Sequence, residues 1–481
     1  MTIRNHGGFG GKGTRSSQQP RVRMRPLWIS GVIALLLGAV VLIPSWSSEA
    51  FEHGRRSHGE RKERSTGRNF AAQTDVQLYS RPSTSAPEWV SERVWSGQDD
   101  WEPFVAADRS SPYVYQMVTR FNAKLSGVFV RRSPDGGETW LPDQLVAPVN
   151  IWQADPQVQV SANGTVFVVW LDGPNWMSTL IKSSDHGATW TAPVVIAPSL
   201  RWTDHPWLLV SPDAKDVYVG LNEDDSYIAT SHDGGQTFGT PFKTNGPTPG
   251  HWWDANGAAM APDGTPYFVV IDFFLDYRGP ASVYVVSSHD RGATWESHLV
   301  DTSQPPPGCS GAAGCDYGFL STTAGLATDQ NGRLLVAYHA GDVRRQSQKM
   351  WIRTSDDGGV DWTPRVQISQ PNDDADNGFP AVVAGPAGGD FRVVWQGNGN
   401  GNPRGWDTYY RRTTDGGVTW SASIKLSNRA TGAPYKSAAG YEFPYGDYLS
   451  LSVDGEGKNH VIWGEGTSYD GPGGAWYTRS R

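Results

Sequence analysis

Cysteine, helix patterns and the motifs of several large enzyme classes are scarce or absent in this sequence. Only two of the 481 residues are cysteine, which permits at most one intramolecular disulfide. No segment shows the apolar period of about 3.6 residues that marks an amphipathic helix of ordinary length. The H-E-x-x-H motif, the phosphate-binding loop, the dinucleotide fingerprint and the serine nucleophile elbow are all missing. These absences argue against a helical fold and against the enzyme classes that depend on those motifs.

Basic residues are also scarce beyond the N-terminal region. Residues 76–481 carry 29 Lys and Arg against 44 Asp and Glu, whereas residues 1–75 carry 12 against 5. Nucleic acids and other polyanions need a basic surface. We therefore expect no nucleic-acid partner, and an anionic sugar polymer is disfavoured unless a local basic pocket overrides the total charge.

One long apolar run, residues 27–46, follows a basic leader of residues 1–26. Its length suits a helix that crosses a bilayer, and the leader should stay in the cytoplasm. We therefore expect a membrane anchor, a flexible tether in residues 47–84, and a folded domain in residues 85–481 outside the cytoplasm. A cleaved signal peptide that ends near Ser48 is the alternative, and it predicts a secreted protein.

The two cysteines, Cys309 and Cys315, lie in the glycine-rich segment PPPGCSGAAGCDYG. On a chain that leaves the cytoplasm we expect them to form one local disulfide, with a pair of free thiols as the alternative. No second pair of cysteines or histidines lies nearby, so we expect no metal site there.

A short motif with the pattern S/T-x-D-x-G-x-T-W occurs six times, at spacings of 48 to 67 residues. Its Asp can accept backbone hydrogen bonds within its own turn, and its Gly supplies a left-handed conformation. Its Trp or Phe opens the next strand with a large apolar surface. Such a period predicts a repeat architecture. The copies begin at Ser133, Ser183, Ser231, Ser288, Ser355 and Thr413.

This motif resembles the Asp-box of the sialidase-like β-propellers, and the resemblance covers the chain from about residue 85 to the C-terminus. It implies an all-β ring of four-stranded antiparallel sheets. Pairs of apolar strands recur seven times, so we predict seven blades, whereas sialidases themselves have six. The last unit, which begins near Tyr448, lacks a box and a fourth strand. Because Pro87–Ser96 resembles the strands that follow the boxes, we predict that this segment completes the last blade.

Acidic side chains recur where the chain enters the innermost strand of each unit or leaves the second one. These positions should meet at one face around the central channel, and tryptophans accompany them. The combination suits hydroxyl binding, proton transfer and stacking on sugar rings, but turn-capping acids and buried tryptophans are the alternatives. We expect no organic cofactor and leave open a divalent cation at the acidic mouth. The predicted ligand contacts are Asp155, Asp254, Trp152, Trp202, Trp253, Arg201 and Arg278.

The resemblance also implies a sialidase site, with an R-I-P arginine in the first blade, an arginine clamp, and a tyrosine nucleophile activated by a glutamate. The first blade reads DDWEPFVAAD instead, with Glu102 and Pro103 and no arginine. The segment YEFPYGDYLSL is similar to the sialidase stretch that carries the nucleophile, which implies Tyr445 with Glu442 as its base. Its Gly-Asp-Tyr can equally be a seventh copy of the recurring acid.

Asp204 is the predicted proton donor. Trp202 and His205 lie beside it, and partial desolvation raises a carboxyl pKa toward the range that suits general acid catalysis. His205, His251 and His339 are candidate proton carriers or metal ligands, although lone histidines in loops are usually neither.

The leading functional hypothesis is a monomeric, carbohydrate-directed glycoside hydrolase held outside the cytoplasm. A non-catalytic binding propeller is the first alternative, supported by the missing R-I-P arginine and the seventh unit. A polysaccharide lyase that uses His251 or Tyr277 as its base is the second.

Overall fold

Strands alone build the ring in the part of the chain that the computed structural model describes. The described residues are 80–81, 86–121, 126–149, 152–275, 279–306, 322–370, 375–399, 405–429, 449–466 and 473–481. Within these ranges no helix is long and apolar enough to cross a membrane. The predicted leader and anchor, most of the tether, and both cysteines lie outside the described residues.

The strands form seven antiparallel sheets, which are the blades of a propeller. Blade 1 comprises β3 (Asp99–Ala107), β4 (Val114–Phe121), β5 (Ser126–Ser133) and β6 (Gln144–Leu145). Blade 2 comprises β7 (Gln153–Val160), β8 (Val166–Asp172), β9 (Met177–Ser183) and β10 (Val194–Val195). Blade 3 comprises β11 (Asp204–Val210), β12 (Val217–Glu223), β13 (Asp225–Ser231) and β14 (Phe242–Lys243). Blade 4 comprises β15 (His251–Met260), β16 (Pro266–Phe274), β17 (Ala281–Ser287) and β18 (Glu296–Ser303).

The remaining blades continue the same order. Blade 5 comprises β19 (Ala324–Thr328), β20 (Leu334–Ala340), β21 (Lys349–Ser355) and β22 (Val366–Gln367). Blade 6 comprises β23 (Asn377–Ala384), β24 (Phe391–Gly397), β25 (Asp407–Thr413) and β26 (Ile424–Lys425). Blade 7 comprises β27 (Leu449–Val453), β28 (Asn459–Gly466) and β29 (Gly473–Arg479), together with the N-terminal strands β2 (Glu92–Val94) and β1 (Ser80–Arg81). The first strands of consecutive blades contact one another in a closed circle, so they line the centre of the ring.

An N-terminal strand closes the ring, as predicted. Strand β2 pairs antiparallel with β29, with Arg93 opposite Tyr477 and Val94 opposite Trp476. Trp89 forms a further bridge to Ser480. The prediction of four strands in each blade holds for blades 1 to 6, whereas the seventh sheet has a fifth strand, β1, paired to the outer edge of β2.

The core is divided among the interfaces between blades. Each blade is covered by a neighbour on both faces, so its middle strands are buried on both sides. In β8, six consecutive residues from Val166 to Leu171 are buried. One apolar cluster lies at each of the seven interfaces between consecutive blades. Uninterrupted apolar runs of this length are therefore strands and not helix segments.

The Asp-boxes are tight turns after the third strand of blades 1 to 6. In the first box, Ser133 Oγ donates to Asp135 Oδ1 at 2.7 Å and accepts the Gly137 N–H at 2.8 Å. Thr139 donates its N–H and its hydroxyl to the Asp135 carboxylate at 2.8 and 2.6 Å. Equivalent serine or threonine bonds recur in the other five boxes. The boxes are therefore tight turns held by their own side chains, as predicted, and their bracing of the sheets stays a prediction.

Candidate active site at the channel mouth

The innermost strands share a bulge close to the mouth of the channel. In blades 1, 2, 3 and 6 the register between the first two strands shifts at one point, and the bulged residue has a positive φ of 45° to 55°. A proline follows each of these residues, and its missing N–H suits a bulge because it cannot join the strand ladder. A bulge redirects one side chain, so each of these blades presents one residue at the equivalent position of its first strand. The bulged residues are Glu102, Asp155, His205 and Phe379.

Glu102 joins blades 1 and 2 at the mouth. Its Oε2 accepts the Thr119 hydroxyl at 2.6 Å and the backbone N–H of Asp155 at 2.9 Å. Glu102 is 5% exposed and Asp155 is 8% exposed. Asp155 therefore lies at the mouth, as the sequence predicts. Glu102, which the sequence places among the recurring acids at the start of the inner strands, belongs to the same group, and the X-Pro dipeptide that it shares with Asp155 and His205 marks the bulge.

His205 and Asp254 form a histidine–carboxylate pair between blades 3 and 4. His205 Nδ1 lies 2.9 Å from Asp254 Oδ1, which also accepts the Asn222 side-chain amide at 2.8 Å. Asn256 donates to Asp254 Oδ2 at 2.9 Å. Asp254 is 4% exposed and both of its oxygens accept amide donors, so its side chain is fixed in place and orients the imidazole. The geometry shows Asp254 beside His205 at the mouth, and the ligand contact predicted for Asp254 stays a prediction.

A second histidine–carboxylate pair lies on blade 4. His251 Nδ1 is 2.6 Å from Asp272 Oδ1, and the His251 ring lies 4.1 Å from that of Phe274. Burial raises the pKa of Asp272, while the hydrogen bond to His251 opposes that shift. Two imidazoles oriented by carboxylates on neighbouring blades can exchange protons with a bound ligand.

Four tryptophans form a row beside these pairs. The rings of Trp152 and Trp176 lie 4.2 Å apart, and those of Trp202 and Trp252 stack at 5.4 Å with an interplanar angle of 27°. All four pack in one cluster with Leu171, in which Trp176 and Trp202 are buried while Trp152 and Trp252 are partly buried. Trp152 and Trp202, two of the predicted ligand contacts, both lie in this row.

Trp253 lies on the opposite side of β15 from Trp252, because successive residues of a strand face opposite ways. It is 7% exposed, and its Nε1 donates to Thr248 Oγ1 at 2.6 Å. It packs in the core between blades 3 and 4. Trp253 thus lies in the core between two blades, whereas its neighbour Trp252 belongs to the tryptophan row, and the ligand contact predicted for Trp253 stays a prediction.

Asp204 and Arg201 complete the described part of the site. Asp204 is half-buried, and its Oδ1 accepts the His205 backbone N–H at 3.0 Å. Arg201 is 68% exposed, with its Nε 2.5 Å from Glu223 Oε1 and an Nη 3.6 Å from Asp224. The guanidinium is thus already paired with carboxylates of its own blade.

Some acids of the predicted ring are structural. Asp100 is fully buried and forms an ion pair with Arg120 at 2.6 Å, and Asp99 accepts the Gly473 N–H at 2.7 Å. Two other acids of the ring bind a proton more readily than a free carboxylate, because burial raises the pKa of Asp172 and of Asp224. The structural interpretation of the acidic ring therefore applies to Asp99 and Asp100, and the functional interpretation of the other members stays a prediction.

Several predicted residues lie elsewhere. His339 is fully buried in β20 and not in a loop, and burial lowers its pKa to about 3. Among the described residues no three His, Cys, Asp or Glu side chains cluster as a metal site. Four predicted site residues and both cysteines fall outside the described residues and stay predictions: Tyr445, Glu442, Arg278, Tyr277, Cys309 and Cys315.

No protein-family model and no curated protein matches this chain. Among solved structures, a polysaccharide lyase of family PL25, an ulvan lyase bound to -[GlcA(1-4)Rha3S]-, is 11% identical with a TM-score of 0.50 and covers 79% of this chain and 94% of its own. A Hadza microbial sialidase is 16% identical with a TM-score of 0.43, and the match covers 80% of this chain and 66% of that one. Trypanosoma rangeli sialidase is 11% identical with a TM-score of 0.42, covering 84% and 60%. The ulvan lyase shows a shared propeller fold alone, and the two lower scores support no inference.

Proposed function

We propose that this protein is a glycoside hydrolase whose proton-transfer groups lie at the mouth of the channel on blade 3. The observation that carries the proposal is the His205–Asp254 pair, 2.9 Å apart, directly beside Asp204. Hydrolysis of a glycosidic bond needs one group that protonates the leaving oxygen and a second that activates water or attacks the sugar. Asp204 and His205 are neighbouring groups of these two kinds.

In this proposal Asp204 is the proton donor, as the sequence suggests, and His205 takes the proton from the attacking water. Asp254 lies within hydrogen-bond distance of His205 Nδ1 and fixes the orientation of the imidazole ring. A direct attack by water inverts the configuration at the sugar carbon. The tyrosine nucleophile implied at Tyr445 would instead form a covalent intermediate, and the product would then retain the configuration at the sugar carbon. The stereochemistry of the product therefore distinguishes the two routes.

A lyase is the second candidate, and the His251–Asp272 pair at 2.6 Å favours it. A lyase base removes a proton from the carbon next to a uronate carboxylate, and a nearby cation must stabilise the charge that develops. Arg201, the described arginine closest in sequence to the two pairs, is already paired with Glu223. The acidic surroundings thus favour hydrolysis over elimination.

The test is an assay of the full chain against a panel of oligosaccharides and polysaccharides, with separate detection of new reducing ends and of ultraviolet-absorbing unsaturated products. We expect reducing ends, and a loss of rate of about 100-fold or more in Asp204→Asn and in His205→Gln. The matched control is His232→Gln, because His232 Nδ1 lies 2.8 Å from Asp216 in an exposed pair at the Asp-box end of the propeller. Its rate should stay within about twofold of wild type.

Asp290→Asn is a second control, since Asp290 holds an Asp-box turn. It should lower the thermal midpoint and spare the rate. Unsaturated products would establish the lyase instead. Binding without turnover would establish a non-catalytic module, and unchanged hydrolysis in Asp204→Asn and His205→Gln would refute the assigned groups.

A further inference from the structure

We infer that the ligand of this site is a linear, uncharged glycan that runs across blades 2 to 4 along the tryptophan row and is cut within its length. This inference rests on the proposed function for the cutting and on the surface itself for the binding. It differs from what the sialidase resemblance implies, which is a single terminal sugar with a negative charge.

The tryptophan row extends over three blades. Trp152 and Trp176 belong to blade 2, Trp202 precedes the first strand of blade 3, and Trp252 lies on blade 4. The backbone N–H of Thr203 donates to the Trp176 carbonyl at 2.6 Å, which ties the loops of blades 2 and 3 together. The partly buried rings, Trp152 and Trp252, lie on blades 2 and 4, so a ligand that contacts both has to extend across blade 3. A linear glycan of several consecutive sugars meets this requirement.

Each partly buried tryptophan packs against a buried one. Trp152 packs against Trp176, and Trp252 stacks on Trp202. Trp152 also lies against Gly173, where an added Cβ would come within 2.7 Å of Trp152 Nε1. Rings held in this way lose little side-chain entropy when a ligand binds, which favours affinity.

The position of the proton-transfer groups indicates internal cleavage. Asp204 and His205 are on blade 3, whereas Trp152 and Trp252 are on the blades at either side of it. A glycan that contacts both of these tryptophans therefore extends beyond the reacting bond in both directions. An enzyme with binding surface on both sides of the bond cuts within a chain.

The charges around the row select an uncharged ligand. The mouth ends of blades 2 to 4 carry the carboxylates of Asp155, Asp172, Asp204, Glu223, Asp224 and Asp272. In the described part of these blades the cations at the same end are Arg201 and Lys243, each 2.5 Å from a carboxylate, of Glu223 and Asp225 respectively. Carboxylates in excess repel a sialate or uronate group and leave an uncharged polyol unaffected.

The experiment measures binding to the full chain carrying Asp204→Asn, so that turnover does not interfere. The probes are a disaccharide and a hexasaccharide from each of the cello, xylo, manno and N-acetylated chito series, with sialyllactose and oligogalacturonates as anionic probes. Deacetylated chito-oligosaccharides are the cationic probe. For one uncharged series we expect the hexasaccharide to bind about tenfold or more tightly than the disaccharide. We expect that affinity to be insensitive to salt.

Trp152→Leu and Trp252→Leu should each remove most of this dependence on length, while Trp252→Phe keeps part of it and shows that the fold is intact. Trp351→Leu is the matched control, because Trp351 is also partly buried but lies on blade 5. Tighter binding of an anionic or cationic probe, an affinity independent of length, or no binding of any uncharged probe overturns the inference. Length-dependent binding by a wild-type protein that never cleaves would refute the hydrolase and the internal cleavage, and would leave the inferred binding of a linear, uncharged glycan standing. Cleavage of single terminal sugars or of anionic sugars would support the hydrolase and refute the inferred linear, uncharged ligand.

Discussion

Single residues at the start of the inner strands decide what the channel mouth presents. Glu102, Asp155 and His205 occupy the left-handed region of φ, which costs a non-glycine residue about 1 to 3 kcal/mol. The proline after each of them removes a ladder donor and makes the bulge tolerable. The result is a set of three adjacent side chains of different chemistry, carried by equivalent positions of three blades.

A buried histidine away from this site makes a separate, testable contribution. His339 is fully buried in β20, and burial lowers its pKa to about 3, compared with about 6.5 in an unfolded chain. Because the unfolded state binds the proton more readily, the stabilisation is fully present above about pH 6.5 and is lost as the pH falls from there towards about pH 3. Between about pH 6.5 and pH 4, the free energy of unfolding should fall by up to about 1.4 kcal/mol per pH unit from this one group.

Urea unfolding over this pH range, on wild type and His339→Gln, measures the effect. In the variant the free energy of unfolding should fall less steeply as the pH is lowered. It should still fall, since burial also lowers the pKa of His460. His289→Gln, at an exposed position, should keep the wild-type slope. Equal slopes in wild type and His339→Gln would show that His339 is not the group that titrates.

At the scale of elements, the Asp-box is the unit that joins one blade to the next. The second glycine position of each box packs against the third strand of the preceding blade, with Gly235 against Leu180, Gly292 against Thr230, and Gly417 against Ile352. The carboxylate keeps the turn tight, and hydrogen bonds led by that from Thr294 lower the pKa of Asp290 to about 2. The boxes thus stabilise the ring at the end opposite the candidate site.

The substitution Gly292→Ala tests this role. Gly292 has φ of 89°, and an added Cβ would lie 2.6 Å from Thr230 Oγ1, so both strain and a clash oppose the change. The free energy of unfolding should fall by about 1 to 3 kcal/mol, measured by urea unfolding. Gly246→Ala is the control, since that glycine avoids the left-handed region and has no described neighbour within 4 Å. An equal effect of the two substitutions would argue against the packing role.

For the whole molecule, the decisive feature is closure between the two ends of the described chain. Trp89 is 3% exposed and packs against Tyr410 with ring centroids 5.0 Å apart, in the core between blades 6 and 7. At the next interface, Arg131 lies 4.5 Å from the rings of both Trp95 and Trp140, and burial lowers its pKa to about 9. The N-terminal segment therefore supplies strands β1 and β2 and two buried tryptophans where the ring closes.

Two truncations test closure. Deletion of residues 76–98 removes β2, Trp89 and Trp95 and exposes the edge of β29, so the ring should unfold or lose much of its thermal midpoint. Deletion of residues 1–70 leaves all of these in place and should give a soluble domain with the midpoint of the full chain. Thermal unfolding followed by circular dichroism compares them. Equal midpoints for the two truncations would contradict closure by the N-terminal strand.

The sequence by itself determined the features that depend on local chemistry. Turn residues at fixed offsets identified every Asp-box, the recurring strand pairs gave the number of blades, and the similarity of Pro87–Ser96 to the strands after the boxes predicted how the ring closes. Each of these signals lies within a few consecutive residues, because a hairpin turn and an apolar strand are specified locally.

Only the tertiary structure decided which side chains of the mouth act together. His205 and Asp254 are 49 positions apart and meet because neighbouring blades bring their first strands side by side. The side of β15 that faces the row decided between Trp252 and Trp253, since a shift of one residue turns every side chain of a strand to the other face. The bulges set that register. Their geometry depends on packing between blades, and this packing is not encoded in any short stretch of consecutive residues.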